Sequence, residues 1–376
     1  MRTLPKNPLA FRFSLVSAVL AVMLAILAAN PPTGGAGVPK APRTFLGVVP
    51  QDTITRADTK RMKRGKVSNM RLAIQWSHVE PEPGVYSFDY VDSLIRVAAR
   101  EGVRVMPTLY GTPGWMSKVW TRLPVENANQ LKRWRLFVRA MIERYGIGGD
   151  FWREPQQVNS KLPRLPVVDW QIWNEVNFHY FATPVSPGRY ARLVKASSNV
   201  IRAVNGRANV VLAGLYARPK GAPSRARSAD VYLRQLVRNL PKKSFDVISI
   251  HPYARNTPTL RRYMRSYRAV ARRLGLRKKA MYVDEMGWGS GRATNAFLLG
   301  SKRAQARQLK SAFTYLLRDR GRLNLRKVYW FAWKDKPRNV ETCSFCYSIG
   351  LFGPQKKKLV AKPAWRTFVR FTRGRP

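Results

Sequence analysis

Acidic side chains are scarce in this chain: 20 Asp and Glu stand against 69 Lys and Arg in 376 residues, for a formal net charge of +49. With so few carboxylates, an acidic metal cage is hard to build. The three histidines, His78, His179 and His251, are far apart in sequence, which argues against a catalytic metal. Cysteine is scarcer still, with only Cys343 and Cys346. One CxxC without a second pair or a nearby histidine is a poor zinc site, and a thioredoxin-like redox role lacks its fold context. In an exported chain the pair is read as a local disulfide pinning its loop, with free thiols as the alternative. Neither G-x-G-x-x-G nor a P-loop occurs, which argues against a nucleotide enzyme. No cofactor and no metal are expected.

What the chain has in excess is positive charge, and this calls for an anionic neighbour or a well-solvated basic surface. The basic residues are spread over the whole sequence and form no recognised nucleic-acid module, so no specific nucleic-acid partner is expected. At the N-terminus, Arg2, Lys6 and Arg12 precede an apolar run from Phe13 to Ala29. That order fits a secretory signal. The run is long for a cleaved signal and Ala28-Ala29 is a mediocre cleavage site, so membrane anchoring through residues 13–29 is the alternative. Either reading places the protein outside the cell or in the cell envelope. Residues 1–30 are thus a signal or anchor, 31–43 a Pro/Gly linker, and 44–376 the folded domain.

From Thr44 onward the chain alternates. Short apolar runs at 45–49, 69–76, 103–109, 167–173, 210–215, 245–250, 280–283 and 328–333 are each followed by a stretch of helical periodicity. After the third run, for example, Leu131, Trp134, Phe137, Val138, Met141 and Ile142 recur at helical spacing and read as a core-facing stripe. Ser186-Pro187 supplies a cap and first turn for the helix after the fourth. Residues 148–166, rich in Pro, Gly and polar groups, read as a loop. Eight strand-helix pairs over about 330 residues fit a single (β/α)8 TIM barrel better than an open sheet. In such a barrel, active sites lie at the C-terminal ends of the strands.

Two of those ends carry carboxylates. Trp170-Gln-Ile-Trp-Asn-Glu-Val-Asn177 runs from an apolar strand into Glu175, and Ala280-Met-Tyr-Val-Asp-Glu-Met286 runs into Glu285. Paired carboxylates suggest glycoside hydrolysis, one protonating the leaving oxygen and the other acting on the anomeric carbon. Like charge and desolvation separate the two pKa values. Glu175 is assigned as acid/base and Glu285 as nucleophile, with Asn174 placed to hydrogen-bond a sugar hydroxyl beside the reacting carbon.

Trp173-Asn174-Glu175 and Asp284-Glu285, on the fourth and seventh strands, resemble the signatures of the retaining glycoside hydrolase clan A with (β/α)8 barrels, over everything from Thr44 onward. The resemblance implies further roles. Arg71 resembles the arginine that supports the nucleophile, and His251 and Tyr253 the histidine and nucleophile-orienting tyrosine after the sixth strand. His251 also reads as a hydrogen-bonded core histidine. Trp333 resembles the aromatic floor under the sugar. Trp76 with Glu80-Pro-Glu-Pro-Gly84, and Lys362-Pro-Ala-Trp365, are similar to the branch around families 39 and 5, which includes β-xylosidases. Val176 stands where many members have proline. The expectation is a retaining hydrolase of a bacterial, plant or envelope polysaccharide, with an anionic carbohydrate polymer favoured if basic loops line the cleft. A non-catalytic barrel binding anionic glycan or cell envelope, and a transglycosylase using the same site, are the alternatives.

Overall fold

The computed structural model describes residues 37–376 apart from 52, 338–342 and 356–357. The signal or anchor segment 1–30 and the linker as far as residue 36 lie outside the described residues. Pro39–Pro376 is one compact unit that contains every strand. Among the described residues, no helix is long and apolar enough to cross a membrane.

Eight parallel strands form the barrel: β1 Leu46–Val49, β2 Asn69–Gln75, β3 Arg104–Tyr110, β4 Asp169–Ile172, β5 Asn209–Leu212, β6 Val247–His251, β7 Ala280–Met286 and β8 Leu325–Phe331. They pair in sequence order. The sheet closes where β1 lies along β8, from Leu46 opposite Val328 to Val49 opposite Phe331, and where Val211 of β5 meets Val247 of β6. Eight helices return the chain: α1 Arg56–Arg64, α2 Asp89–Arg100, α3 Ala128–Tyr145, α4 Pro187–Val204, α5 Ala229–Asn239, α6 Thr257–Arg273, α7 Lys302–Arg318 and α8 Pro363–Thr372.

Local chemistry sets these boundaries. Thr55 and Asp58 form a reciprocal capping box at the start of α1. The Ser186 side chain accepts from the Arg189 amide, with Pro187 in the first turn of α4. The α3 stripe buries Trp134 and Phe137 between α3 and the strands, where Trp134 packs against Trp76 at 5.4 Å and Trp173 at 5.9 Å. Full burial of such side chains stabilises by roughly 1.5–3 kcal/mol each. Inside the barrel, Val49, Met106, Val211, Val247, Tyr282 and Tyr329 form the apolar plug beneath the site.

Three departures from the sequence reading have local causes. The segment 148–166 is not structureless: it holds two short helices, Asp150–Trp152 and Pro155–Asn159, because Phe151 and Trp152 are buried against Tyr145. The fifth strand breaks after Leu212 and resumes as Leu215–Tyr216, which pairs with β6. Gly214 lies in that break, where a Cβ would stand 2.0 Å from His251 Nε2. The eighth strand ends at Phe331, short of the expected Trp333.

Candidate active site

The strand ends converge on one polar cluster. Arg71 of β2, Glu285 of β7 and His251 of β6 point into the barrel mouth, and Asn174 and Glu175 enter from the turn just past β4. Glu175 is 6% exposed, and Glu285 and Asn174 are each 8% exposed, so the cluster is open to the cleft yet nearly dry.

The Arg71 guanidinium organises it. Nη1 donates to Glu285 Oε1 at 2.5 Å, Nη2 to Asn174 Oδ1 at 2.7 Å, and Nε to Gln171 Oε1 at 2.6 Å. Tyr253 Oη donates to the other oxygen of Glu285 at 3.0 Å. Both Glu285 oxygens are therefore held as acceptors, a geometry that fixes the carboxylate plane. His251 Nδ1 lies 2.6 Å from Glu175 Oε1, 3.5 Å from Glu285 Oε2, and its Nε2 is 3.4 Å from Asp284 Oδ2. Glu175 itself sits on unusual backbone: Trp173 has φ 66° and Glu175 φ 37°, the left-handed region that side chains of this size rarely adopt. Trp173 is locked there by burial and by its indole donating to the Phe181 carbonyl at 2.6 Å.

The electrostatics follow from burial among mixed charges. Burial pushes the Glu175 carboxyl above the ordinary range and neighbouring Glu285 adds to the rise, more than the His251 imidazole can offset. Burial alone would discharge His251, but Glu285 and Asp284 outweigh it and push the imidazole up to about 10. Burial likewise opposes the charge on Asp284, yet His251 and Arg71 hold its carboxyl below the usual value. The Tyr253 phenol is driven well above its usual value by burial and by Glu285, so it stays a donor.

One oxygen of each glutamate and a ring nitrogen of His251 all lie within 4.8 Å of one another, a spacing a cation could span. These atoms are already engaged by Arg71, Tyr253 and one another, and Arg71 already brings positive charge to Glu285.

Six of the seven residues singled out from sequence meet here: Arg71, Asn174, Glu175, His251, Tyr253 and Glu285. Trp333 does not, and the expectation that it floors the sugar site is corrected. It is fully buried, its indole donates to Asp58 Oδ1 at 3.0 Å, and it packs on Phe352 and Trp365. The reason is where the strand stops: with β8 ending at Phe331, it is Phe331 that lines the cleft, beside Tyr90, Tyr110 and Phe181. The cleft has a volume of about 290 Å³. Basic loops near the cleft would favour acidic glycans, but among the described residues the lining contains one cation, Arg71, committed to Glu285.

Sequence reasoning missed Gln171. Its amide bridges Arg71, Thr108 Oγ1 at 2.7 Å, Ser249 Oγ at 3.1 Å and Asp284. An amide between Trp170 and Ile172, inside a buried strand, was the available signal. Phe345 was missed as well. It sits within the loop closed by the Cys343–Cys346 disulfide, 5.6 Å from the Tyr253 ring, which also stacks on Tyr216 at 5.8 Å.

The model of glycoside hydrolase family 42, described as Beta-galactosidase, matches residues 49–209, less than half of the chain. A curated relative, Beta-galactosidase GalA of Bacillus licheniformis, is 33% identical over 79 residues, covering 20% of this chain and 12% of that protein. Among solved structures, a family 39 glycoside hydrolase from the gut symbiont Bacteroides cellulosilyticus aligns with TM-score 0.63 at 18% identity, over 88% of this chain and 64% of its own. A monomeric beta-xylosidase from Caulobacter crescentus gives 0.60 at 16% identity over 89% and 69%. The Beta-glucosidase of Thermotoga maritima gives 0.58 at 12% identity over 90% and 100%. At these identities the structural likeness is one of fold. The family match and these neighbours are glycoside hydrolases of clan A, and together they support a glycosidase.

Proposed function

We propose that this barrel works as a retaining O-glycoside hydrolase of the clan it resembles, with Glu175 as acid/base and Glu285 as nucleophile. One observation carries the reading: the two carboxylates approach within 4.8 Å while their surroundings treat them oppositely. Retaining enzymes hold their carboxyls about 5–5.5 Å apart, whereas inverting enzymes leave roughly 6.5–9.5 Å for a water. The close approach favours direct attack.

The step order follows from the electrostatics. Glu175, protonated because burial and Glu285 both raise its pKa, gives its proton to the glycosidic oxygen as Glu285 attacks the anomeric carbon. The C–O bond to the leaving group breaks and an ester forms on Glu285. Esterification removes the negative charge that held Glu175 up, so Glu175 becomes the stronger acid, is left ionised, and accepts a proton from the incoming water. Water then displaces Glu285 and restores the starting charges. Arg71 and Tyr253 orient the nucleophile throughout. Asn174, its carbonyl fixed by Arg71, keeps its amide to donate to a sugar hydroxyl.

The substrate reading is a neutral β-glycoside. Among the described residues the lining offers aromatic faces and neutral polar groups, Gln51, Tyr90, Tyr110, Asn174 and Phe331, and no uncommitted cation to receive a uronate. Aryl β-galactoside, β-xyloside, β-glucoside and β-mannoside, with a β-glucuronide as contrast, form the test panel. Turnover of a neutral member that disappears in Glu285→Gln, and a 2-fluoro-glycosyl adduct located on the Glu285 peptide, are expected. An adduct elsewhere would reassign the nucleophile. Glucuronide as the preferred substrate would overturn the neutral reading.

A further inference from the structure

The helix ends of this barrel are rich in basic residues. Each strand climbs to the cleft and each helix descends from it, so the helix C-termini all lie at the opposite end. All eight helices carry Arg or Lys in their last turn: Arg64, Arg100, Arg144, Arg202, Arg238, Arg273, Arg318 and Arg370 among them. Five of the eight have no acidic residue in the first turn, at the cleft end. Compensating helix dipoles needs only about half a charge per helix. One group of basic residues lies where β1 to β3 begin.

A groove of about 920 Å³ opens there, lined by Lys40, Arg43, Lys63, Lys66 and Arg100, with Glu101 as its sole carboxylate among the described residues. Glu101 pairs with Lys63 at 3.2 Å. Lys40, Arg43, Lys66 and Arg100 are exposed and form no ion pair among the described residues. The start of the described residues also lies on this face, where the Ala41 amide bonds the Phe371 carbonyl at 2.8 Å. In the sequence, Asn30–Val38 is all that separates Pro39 from the apolar run ending at Ala29. At about 3.3–3.6 Å per residue, that tether reaches roughly 30 Å at most.

From the cationic groove and the entry of the chain beside it, we infer that the barrel end opposite the cleft docks on an anionic lipid surface. Docking this way turns the cleft outward, toward polymer outside the bilayer. Lys40, Arg43, Lys66 and Arg100 supply the contact, and Lys63 is partly neutralised by Glu101. Each basic residue near an anionic bilayer contributes about 1 kcal/mol, or roughly fivefold in partitioning. Removing four weakens binding by several hundredfold.

The test is co-sedimentation of the compact unit Pro39–Pro376 with vesicles of equal phosphatidylglycerol and phosphatidylcholine, and with phosphatidylcholine alone. Binding is expected to the anionic vesicles only, to fall with added salt, and to drop several hundredfold in the variant with Lys40, Arg43, Lys66 and Arg100 all changed to Gln. A second variant removes equal charge at the cleft end, Lys118, Lys220, Arg292 and Lys302 to Gln, all exposed. It should lose far less. Equal losses in both variants would mean net charge alone is at work and would overturn the assignment to this face. Full displacement from vesicles by a soluble anionic polysaccharide at equal charge concentration would make the partner a polymer and overturn the lipid reading.

Discussion

Replacing Glu175 with Ala tests the proton-transfer role directly, because the outcome depends on how much the leaving group needs the proton. In the folded protein Glu175 is 6% exposed and carries a raised pKa, so it holds a proton where ordinary carboxylates have lost theirs. General acid catalysis by a positioned group supplies about 10²–10⁴ in rate. At 1.36 kcal/mol per tenfold, this corresponds to about 2.7–5.4 kcal/mol of barrier. Turnover of a glycoside with an alkyl or 4-methoxyphenyl leaving group should fall by that factor in Glu175→Ala. A 2,4-dinitrophenyl glycoside leaves without protonation, so its first step should be nearly unchanged, and the ester on Glu285 should accumulate as a burst. Azide needs no general base and should restore steady-state turnover, giving a glycosyl azide of retained configuration. Glu285→Gln must lose both substrates together. Stopped-flow absorbance and product NMR read these results, with the melting temperature as the folding control. A loss of equal size on both leaving groups, with no burst and no azide rescue, would refute Glu175 as the acid/base.

Tyr253→Phe removes one hydrogen bond to Glu285, worth about 1.5–3 kcal/mol for a charged acceptor, so kcat/KM should fall roughly 10- to 150-fold with the fold intact; an unchanged value would exclude the orienting role. In the pH profile, activity should decline as pH rises through the elevated pKa of Glu175, because the acid form is lost. Imidazolium at His251 favours ionised Glu175, so His251→Asn should move that alkaline limb to higher pH, and a shift to lower pH would reverse the sign assigned here. His251 is also raised, to about 10, so its share of stability is full below its unfolded value near 6.5 and is lost as pH climbs through about 10; urea titrations across pH 7–11 should show the loss in the wild type and less of it in His251→Asn. Away from the site, Lys362 is buried and its Nζ donates to Asp335 Oδ1 at 2.7 Å. Lys362→Met leaves that carboxylate uncompensated and should cost about 3–5 kcal/mol, a melting-temperature drop of roughly 5–10 °C by calorimetry, which Asp335→Asn in the same chain should partly recover.

The eight strands, their order and the two carboxylates were legible in the sequence because they are local signals. Apolar runs of strand length alternate with helical stripes, and in a chain this poor in acids a glutamate at an apolar strand end is conspicuous. The aromatic floor was not legible. Phe331 and Trp333 have the same parity, and only where β8 stops decides which of them turns into the cleft. Gln171 was a single amide whose partners lie on five other strands, β2, β3, β5, β6 and β7. The location of the positive charge was equally hidden: composition gives +49 but no face. Closure of the barrel sends every helix C-terminus to one end, leaving a cleft whose one lining cation among the described residues is already paired and a basic groove at the opposite end. Periodicity is a property of neighbours along the chain, so the sequence by itself determined the elements and the catalytic candidates. Which side chains face one another across the barrel, and therefore which pKa values move, was decided only when the sheet closed.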